Sequence, residues 1–227
     1  KDSSINVVLT ALHYGAYVPA GNLDKRFGFS NDVGLSVTNK FASNWLLGIE
    51  GSFLFGNEVK ETSLFVDISN QDGGIIGSDG KYADVKTFER GFMIVMNAGK
   101  LYQFKKPNAN SGLVFMAGAG LMQHKIRIEV SGNTVPYLDK EYRKGYDRLT
   151  NGLALHQFFG YQYLSNKGLI NFYVGLDCYE GFTKCRRDYN FDEMRKDDSH
   201  RTDLLLGIRA GWILPLYQKA ASEVYFY

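Results

Sequence analysis

Eight segments of the chain alternate apolar side chains with small or polar ones, and this period of two constrains the fold more than any other feature. In the segment 168–182, Phe172 and Val174 fall on one parity, whereas Gly175 and Asp177 fall on the other. A period of two indicates a β-strand with one apolar face and one small or polar face. The same pattern predicts strands at about residues 6–18, 28–38, 44–55, 90–102, 111–130, 149–164, 168–182 and 202–214.

The lengths of the segments and of their connections predict how the strands are joined. The segments are long for ordinary strands and suit tilted strands that cross a membrane. The connections after the second, fourth and sixth segments are short, and those after the third, fifth and seventh are long and polar. This pattern predicts a single domain, residues 1–227, that is an all-β, eight-stranded antiparallel up-and-down transmembrane barrel. Its short turns and both termini are expected in the periplasm, and its longer loops outside the cell.

The apolar parity is expected to face lipid rather than the barrel interior. In a soluble barrel, Gly48, Gly91, Gly152 and Gly207 would lie on the surface, where soluble sheets normally carry charged residues and Thr. In the inverted arrangement, small and charged side chains fill a narrow lumen. The charges on that parity nearly cancel, as a buried set must. The predicted lumen network is Asp32, Glu50, Lys125, Arg127, His156, Asp177, Asp203 and Arg209, with Asp177 placed among Arg209, Arg127 and Lys125.

Aromatic and acidic residues on the lipid parity predict where the membrane ends. Glu180 is expected at the outer rim, because a carboxylate in the middle of the bilayer would be destabilising. The sequence has no run of about 18 apolar residues, which is the length that would predict a transmembrane helix. The aromatic residues predicted to form interfacial girdles are Trp45, Trp212, Tyr161 and Tyr163.

The sequence contains no motif that predicts catalysis, a cofactor or a metal site. The segment "GGIIGSDG" at residues 73–80 is rich in glycine but lacks the lysine and the helix of a phosphate-binding loop. His156 is expected to be a hydrogen-bonded packing residue. The net charge of +2 argues against nucleic-acid binding. Cys178 and Cys185 would be roughly 23 Å apart on one extended strand, too far for a disulfide, although a bend after residue 182 could bring them together.

Two alternatives to a structural barrel remain open at this point. A small outer-membrane barrel could bind small molecules or let them pass, which requires a continuous lumen. An outer-membrane enzyme that acts on lipid or peptide would need His156 beside an acidic residue as its catalytic group.

Several collinear segments resemble the PorG family of outer-membrane barrels, which belong to the type IX secretion system of Bacteroidetes. They are "HYGAYVPAGNLDKRFG" (13–28), "NWLLGIEGSFLFGNEVKE" (44–61), "GIIGSDGKYADV" (74–85), "ERGF" (89–92), "HKIRIE" (124–129), "YRKGYDRLTNGLAL" (142–155) and "GIRAGWILPLY" (207–217). The resemblance therefore covers nearly the whole chain.

The resemblance implies a non-enzymatic barrel in the outer membrane that associates with the periplasmic ring of PorK and PorN. Such a component supports protein export and, in some species, gliding. The surfaces that a periplasmic ring could reach are the short turns 39–43, 104–110 and 165–167 and the two termini. Because Pro215 should interrupt the hydrogen bonding of the last strand, residues 218–227 are predicted to bend away as a periplasmic tail.

Overall fold

The fold consists of eight long strands and two short 3-10 helices. A computed structural model describes residues 3–104, 107–131, 135–165 and 170–216. The helices, Pro136–Leu138 and Tyr142–Gly145, lie between the fifth and sixth strands. Across the described ranges, no helix is long and apolar enough to span a membrane. The strands are β1 (Val7–Gly21), β2 (Ser30–Lys40), β3 (Trp45–Gly56), β4 (Asp84–Gln103), β5 (Gly112–Ser131), β6 (Thr150–Leu164), β7 (Asn171–Cys185) and β8 (His200–Leu216).

The strands form one closed antiparallel barrel, which confirms the predicted fold class. Each strand pairs with the next along the chain, and β8 pairs with β1. In that closing ladder, Val8 lies opposite Leu216 and Gly21 lies opposite Asp203. Closure leaves the sheet without a free edge, so its backbone N–H and C=O groups can bond to one another where no water is available.

The barrel is apolar outside and polar or small inside, so the predicted inside-out arrangement is confirmed. Along β8, Asp203 and Arg209 are buried in the lumen, whereas the intervening Leu206 and Ile208 are exposed on the exterior. Seven further strands carry the same alternation. Exposed outward side chains include Leu12, Leu35, Ile49, Met96, Leu121, Leu153 and Leu176.

β4 and β5 are longer than the other strands and form a hairpin that extends past its neighbours. Each has 20 residues, and β4 begins at Asp84 rather than at the predicted residue 90. Asp84 pairs with Ser131 at the far end of this hairpin. The ladder between β5 and β6 ends earlier, where His124 lies opposite Thr150. The last part of β5 therefore faces a connection rather than a strand.

This extension explains why two predicted lumen residues are on the wrong side. Lys125 and Arg127 are exposed on the exterior, and Ile126 and Ile128 are buried inside. Beyond the apolar band, the exterior of β5 meets water or headgroups, so charged side chains face outward. The prediction that Lys125 and Arg127 belong to the lumen network is wrong.

The connections 22–29, 57–83, 135–149 and 186–199 lie at one end of the barrel, which we call the long-loop end. Several of their apolar side chains fold over the lumen and form one buried cluster with lumen residues such as Leu54 and Met122. This apolar cap closes the long-loop end by burying hydrophobic surface rather than by strand pairing. Its loop members are Leu23, Phe27, Leu64, Ile75, Val135, Leu138 and Tyr146.

The opposite end, the short-turn end, is also filled by side chains. Lys40 is buried there, and its Nζ donates to Asn110 Oδ1 at 3.1 Å and to Ser4 Oγ at 2.8 Å. Two buried apolar clusters lie next to it. One contains Val7, Leu9, Ala11, Leu164 and Ile213, and the other contains Leu46, Leu101, Val114 and Phe158.

Pro215 lies within β8 and does not end it. The ladder with β1 continues through Pro215, opposite Leu9, to Leu216. Among the described residues, the ladder with β7 ends at Trp212. In this part of the chain the ladder partner of Pro215 is on β1, and a missing N–H is tolerated where a strand is paired on one side. The predicted tail, residues 218–227, lies outside the described residues.

Candidate functional site

Arg209 is the centre of the lumen network. It projects inward from β8 and contacts carboxylates from three other strands. Its Nη1 lies 2.8 Å from Glu50 Oε1, and its Nη2 lies 2.9 Å from Asp177 Oδ2 and 3.4 Å from Asp32 Oδ2. All four side chains are almost inaccessible to solvent. A planar guanidinium presents donors in several fixed directions, which suits one cation shared by three strands.

Two tyrosines connect Arg209 to the same carboxylates. The hydroxyl of Tyr17 donates to Asp177 Oδ2 at 2.7 Å, and the hydroxyl of Tyr179 donates to Glu50 Oε1 at 2.6 Å. Both hydroxyl oxygens accept from Nη2 of Arg209. Each tyrosine hydroxyl therefore donates to a carboxylate and accepts from the guanidinium. Hydrogen bonds of this kind lower the free-energy cost of burying the charges.

His156 extends the network to β4. Its Nε2 lies 2.7 Å from Asp177 Oδ1, and its Nδ1 lies 2.7 Å from Asn97 Oδ1. The ring also stacks on Tyr179, with the centroids 4.5 Å apart. Because both ring nitrogens face oxygen acceptors, an imidazolium donates to both at once, whereas a neutral ring donates to only one.

His13 completes the network on the β1 side. Its Nε2 lies 2.8 Å from Ser52 Oγ and 3.8 Å from Asp32 Oδ2. Toward the short-turn end, Glu50, His156 and Arg209 border a cavity of about 40 Å³. That volume holds a few water molecules and no larger ligand.

Asp203 lies in the lumen as predicted but in a separate group near the long-loop end. Its Oδ2 lies 2.9 Å from His124 Nε2 and accepts from Thr183 Oγ1 at 2.5 Å. A second buried pair at this end joins Ser30 Oγ to Glu89 Oε2 at 2.5 Å. Apolar side chains of the cap cluster, including Met122, fill the lumen around these groups.

Five of the eight predicted network residues meet in one hydrogen-bonded cluster: Asp32, Glu50, His156, Asp177 and Arg209. Of the three cations predicted to surround Asp177, only Arg209 lies beside it, because Lys125 and Arg127 are on the exterior of the barrel. Sequence reasoning missed Tyr17, Tyr179, His13 and Asn97. Their parity places all four on inward-facing positions, so that signal was available.

Above the cap, charged side chains tie four loops together. Glu61 accepts from Arg26 Nε at 2.6 Å and from Arg148 Nε at 3.1 Å. Arg148 also pairs with Asp192 at 2.5 Å. Burial alone would raise the pKa of Glu61, but the adjacent Arg26 and Arg148 outweigh it, and the pKa is lowered. This loop cluster holds the connections 22–29, 57–83, 135–149 and 186–199 against one another.

The predicted girdle aromatics all lie toward the short-turn end. Trp45 and Trp212 are half exposed on the exterior, and Lys100 Nζ lies 5.4 Å from the centroid of the Trp45 ring. Tyr161 and Tyr163 also face outward and are partly buried. Glu180 faces outward and is partly buried, and its place at the outer rim remains a prediction.

Cys178 and Cys185 are both free thiols, so no disulfide joins them. Cys178 is partly buried on the outward parity of β7, whereas Cys185 ends the strand and is buried. In the described ranges, no group of three or more His, Cys, Asp or Glu side chains is arranged to hold a metal ion.

Comparison with known proteins finds similarity in fold to small outer-membrane barrels. No protein-family model matches the sequence, and no curated protein matches it significantly. Similar solved structures include the attachment invasion locus protein Ail of Yersinia pestis with the heparin analogue sucrose octasulfate (10% identity, 92% of this chain and 99% of that chain covered, TM-score 0.43). Neisserial surface protein A aligns over 91% of this chain and 96% of that chain with 10% identity and a TM-score of 0.43. OprG from Pseudomonas aeruginosa aligns over 94% of this chain and 97% of that chain with 10% identity and a TM-score of 0.32.

Proposed function

We propose that this protein is an integral outer-membrane barrel that serves as an anchor for other proteins rather than as a pore or an enzyme. The observation that carries the proposal is the filled lumen, whose centre is the Arg209 network. Glu50 and Asp177 reach Arg209 from different strands, so the network bridges the barrel interior. The apolar cap on one side and the buried Lys40 on the other close the remaining paths.

A filled lumen argues against the two alternatives. Passage of small molecules needs a continuous channel, whereas the cavity beside His156 has a volume of only about 40 Å³. The His156–Asp177 pair has the geometry of an acid–base pair at 2.7 Å, but both side chains are buried inside the barrel. A lipid or peptide substrate would not reach them without unfolding the lumen.

The partner we propose is the periplasmic ring of PorK and PorN in a type IX secretion system. Support comes from the resemblance of the collinear segments between residues 13 and 217 to the PorG family. In this proposal the short-turn end and both termini face the periplasm, and the short turns contact the ring. The protein then supports export by holding the ring at the outer membrane.

Site-specific photo-crosslinking in native membranes tests this proposal. A photoreactive amino acid is placed at Ala42, exposed in the turn 41–44 at the short-turn end, and in a matched strain at Ser63, exposed in the connection 57–83. We expect the Ala42 variant to capture PorK or PorN and the Ser63 variant to capture neither. Absence of ring proteins from the Ala42 adducts, or their capture only through Ser63, would contradict the proposed partner and orientation.

A further inference from the structure

A basic groove lies on the exterior of the barrel at the long-loop end. It runs between the outer face of β5 and the helical connection that follows it, and it has a volume of about 270 Å³. Two acidic side chains, Glu129 and Asp147, also border it. The cations that line the groove are Lys125, Arg127, Lys140, Arg143, Lys144 and Arg187.

Part of this positive charge is not neutralised by the protein. Arg187 is paired with Asp147 at 2.5 Å, and Arg127 with Glu129 at 2.8 Å. Within the described ranges, neither Lys125 nor Lys140 forms an ion pair, since no carboxylate lies within 4.0 Å of either ammonium group.

The strand register places a third cation without an ion pair beside Lys125. Arg90 on β4 lies directly opposite Lys125 on β5, and both project from the exterior. In the described part of the chain, the guanidinium of Arg90 donates to the backbone carbonyl oxygens of Gly56 and Glu89, and no carboxylate oxygen lies within 4.0 Å of it. Like charges directly opposite each other destabilise a sheet. An external anion that binds between them would remove this repulsion.

The position of the cations along the barrel indicates the source of the anion. On β4, the outward residues between Arg90 and Lys100 are Phe92, Ile94, Met96 and Ala98. The ten residues from Arg90 to Lys100 extend by about 3.3 Å each, and with a strand tilt of about 40° they span roughly 25 Å along the barrel axis. That is about the height of the apolar band of an outer-membrane barrel. Arg90 and Lys125 therefore begin where the hydrocarbon ends, at the level of lipid headgroups.

We propose that the groove binds the phosphate groups of a phosphorylated glycolipid in the leaflet next to the long-loop end. Lys125 and Lys140 supply unpaired ammonium groups, and Arg90 supplies a guanidinium at the rim of the apolar band. The acyl chains of the same lipid lie along the apolar exterior below, beside Phe92 and Leu121. This inference depends on insertion of the barrel into a bilayer and is independent of the proposed ring partner.

The test measures lipid retention by the full-length protein in nanodiscs. The discs contain neutral phospholipid with either bisphosphorylated lipid A or the same lipid A without phosphates, and bound glycolipid is counted by native mass spectrometry. We expect the wild-type protein to retain the bisphosphorylated form selectively. The double variant Lys125→Gln/Lys140→Gln should retain roughly 10- to 30-fold less, since each cation near an anionic surface contributes about 1 kcal/mol.

The control is Lys25→Gln/Lys196→Gln, which removes the same net charge from exposed loop positions that do not line the groove. It should retain lipid A as the wild-type protein does, and unheated gel mobility should show that both double variants are folded. Equal retention of the dephosphorylated lipid, or an equal loss in the control, would overturn the proposal. Displacement of lipid A by an equal concentration of water-soluble glucosamine bisphosphate would assign the groove to a soluble sugar phosphate instead.

Discussion

Nη2 of Arg209 lies 2.9 Å from Oδ2 of Asp177, although the residue directly opposite Asp177 in the β7–β8 ladder is Gly207. The contact is therefore diagonal, between residues one inward position apart on neighbouring strands. A Cβ atom at Gly207 would lie 2.1 Å from the carbonyl oxygen of Ala16 and 2.6 Å from the ring of Tyr17. The glycine thus leaves the space in which Tyr17 reaches both Asp177 and Arg209.

Replacement of Arg209 should strongly destabilise the barrel. Arg209→Met leaves Asp32, Glu50 and Asp177 buried without their cation, and removing one partner of a buried ion pair costs about 3–5 kcal/mol. The free energy of unfolding is measured by urea titration in detergent micelles, followed by the fluorescence of Trp45 and Trp212.

Arg195→Met is the matched control, because Arg195 pairs with Glu193 at 3.1 Å on the surface. An exposed pair contributes at most about 1 kcal/mol. If both substitutions lower the free energy of unfolding equally, the lumen network does not have the stabilising role assigned to it.

A methyl group added inside the barrel should be far less tolerated than one added outside. Gly207→Ala forces the Ala16 backbone or the Tyr17 ring to move, and overpacking of this kind costs about 1–3 kcal/mol. Gly51 lies on the exterior of β3, where a Cβ would meet nothing closer than 4.0 Å. Gly51→Ala should therefore leave the free energy of unfolding unchanged within about 0.5 kcal/mol or raise it slightly. The same urea titration compares the two variants, and equal effects would contradict the close packing at Gly207.

The filled lumen should not conduct ions. In planar bilayers, the purified protein is expected to show no stable single-channel currents at neutral pH, because Arg209, Lys40 and the apolar cap block successive levels of the lumen. A large-lumen porin inserted under the same conditions serves as the positive control. Reproducible unitary currents from the wild-type protein would favour the small-molecule channel over the anchoring role.

Docking of the long loops should weaken in acid. The pKa of Glu61 in the folded protein is below its ordinary value of 4.5. Ionised Glu61 therefore stabilises the docked loops fully above that pH, and the contribution is lost as the pH falls through the lower, folded pKa. We expect the protection factors for hydrogen exchange in residues 57–83, which are corrected for the intrinsic rate at each pH, to fall below about pH 4.5.

The variant Glu61→Gln isolates this effect. It is needed because Asp192 belongs to the same cluster and its pKa shifts in the opposite direction from that of Glu61. Burial raises the pKa of Asp192. Glu61→Gln should have lower protection factors at neutral pH and lose most of their further decrease in acid. An unchanged pH dependence in this variant would show that another group controls loop docking.

Parity alone allowed much of the candidate site to be predicted. Asp32, Glu50, His156, Asp177 and Arg209 all lie inside, as their alternation with apolar neighbours predicts. The same rule applied to Tyr17 and Tyr179 would have added them, but large aromatic residues are also typical of lipid-facing positions. Nothing in the local sequence says that their hydroxyl groups meet Arg209.

Parity failed at Lys125 and Arg127 for a definite reason. Alternation shows which side chains share a face of a strand, and the barrel-wide rule that the polar face lies inside holds only within the apolar band. Beyond that band, Ile126 and Ile128 pack inward with the apolar cap, and the charged side chains turn to the exterior.

The sequence by itself determined the strands, their up-and-down order and the apolar exterior, because period-two alternation and connection length are local properties of the chain. The tertiary structure decided which residues share the lumen centre and how its ends are closed. Arg209 meets Glu50 only because closing the sheet brings β8 and β3 together across the lumen, although they are not neighbours in the sheet. The distance between the side chains of Arg209 and Glu50 depends on strand tilt and register around the whole barrel, and no local sequence pattern contains that information.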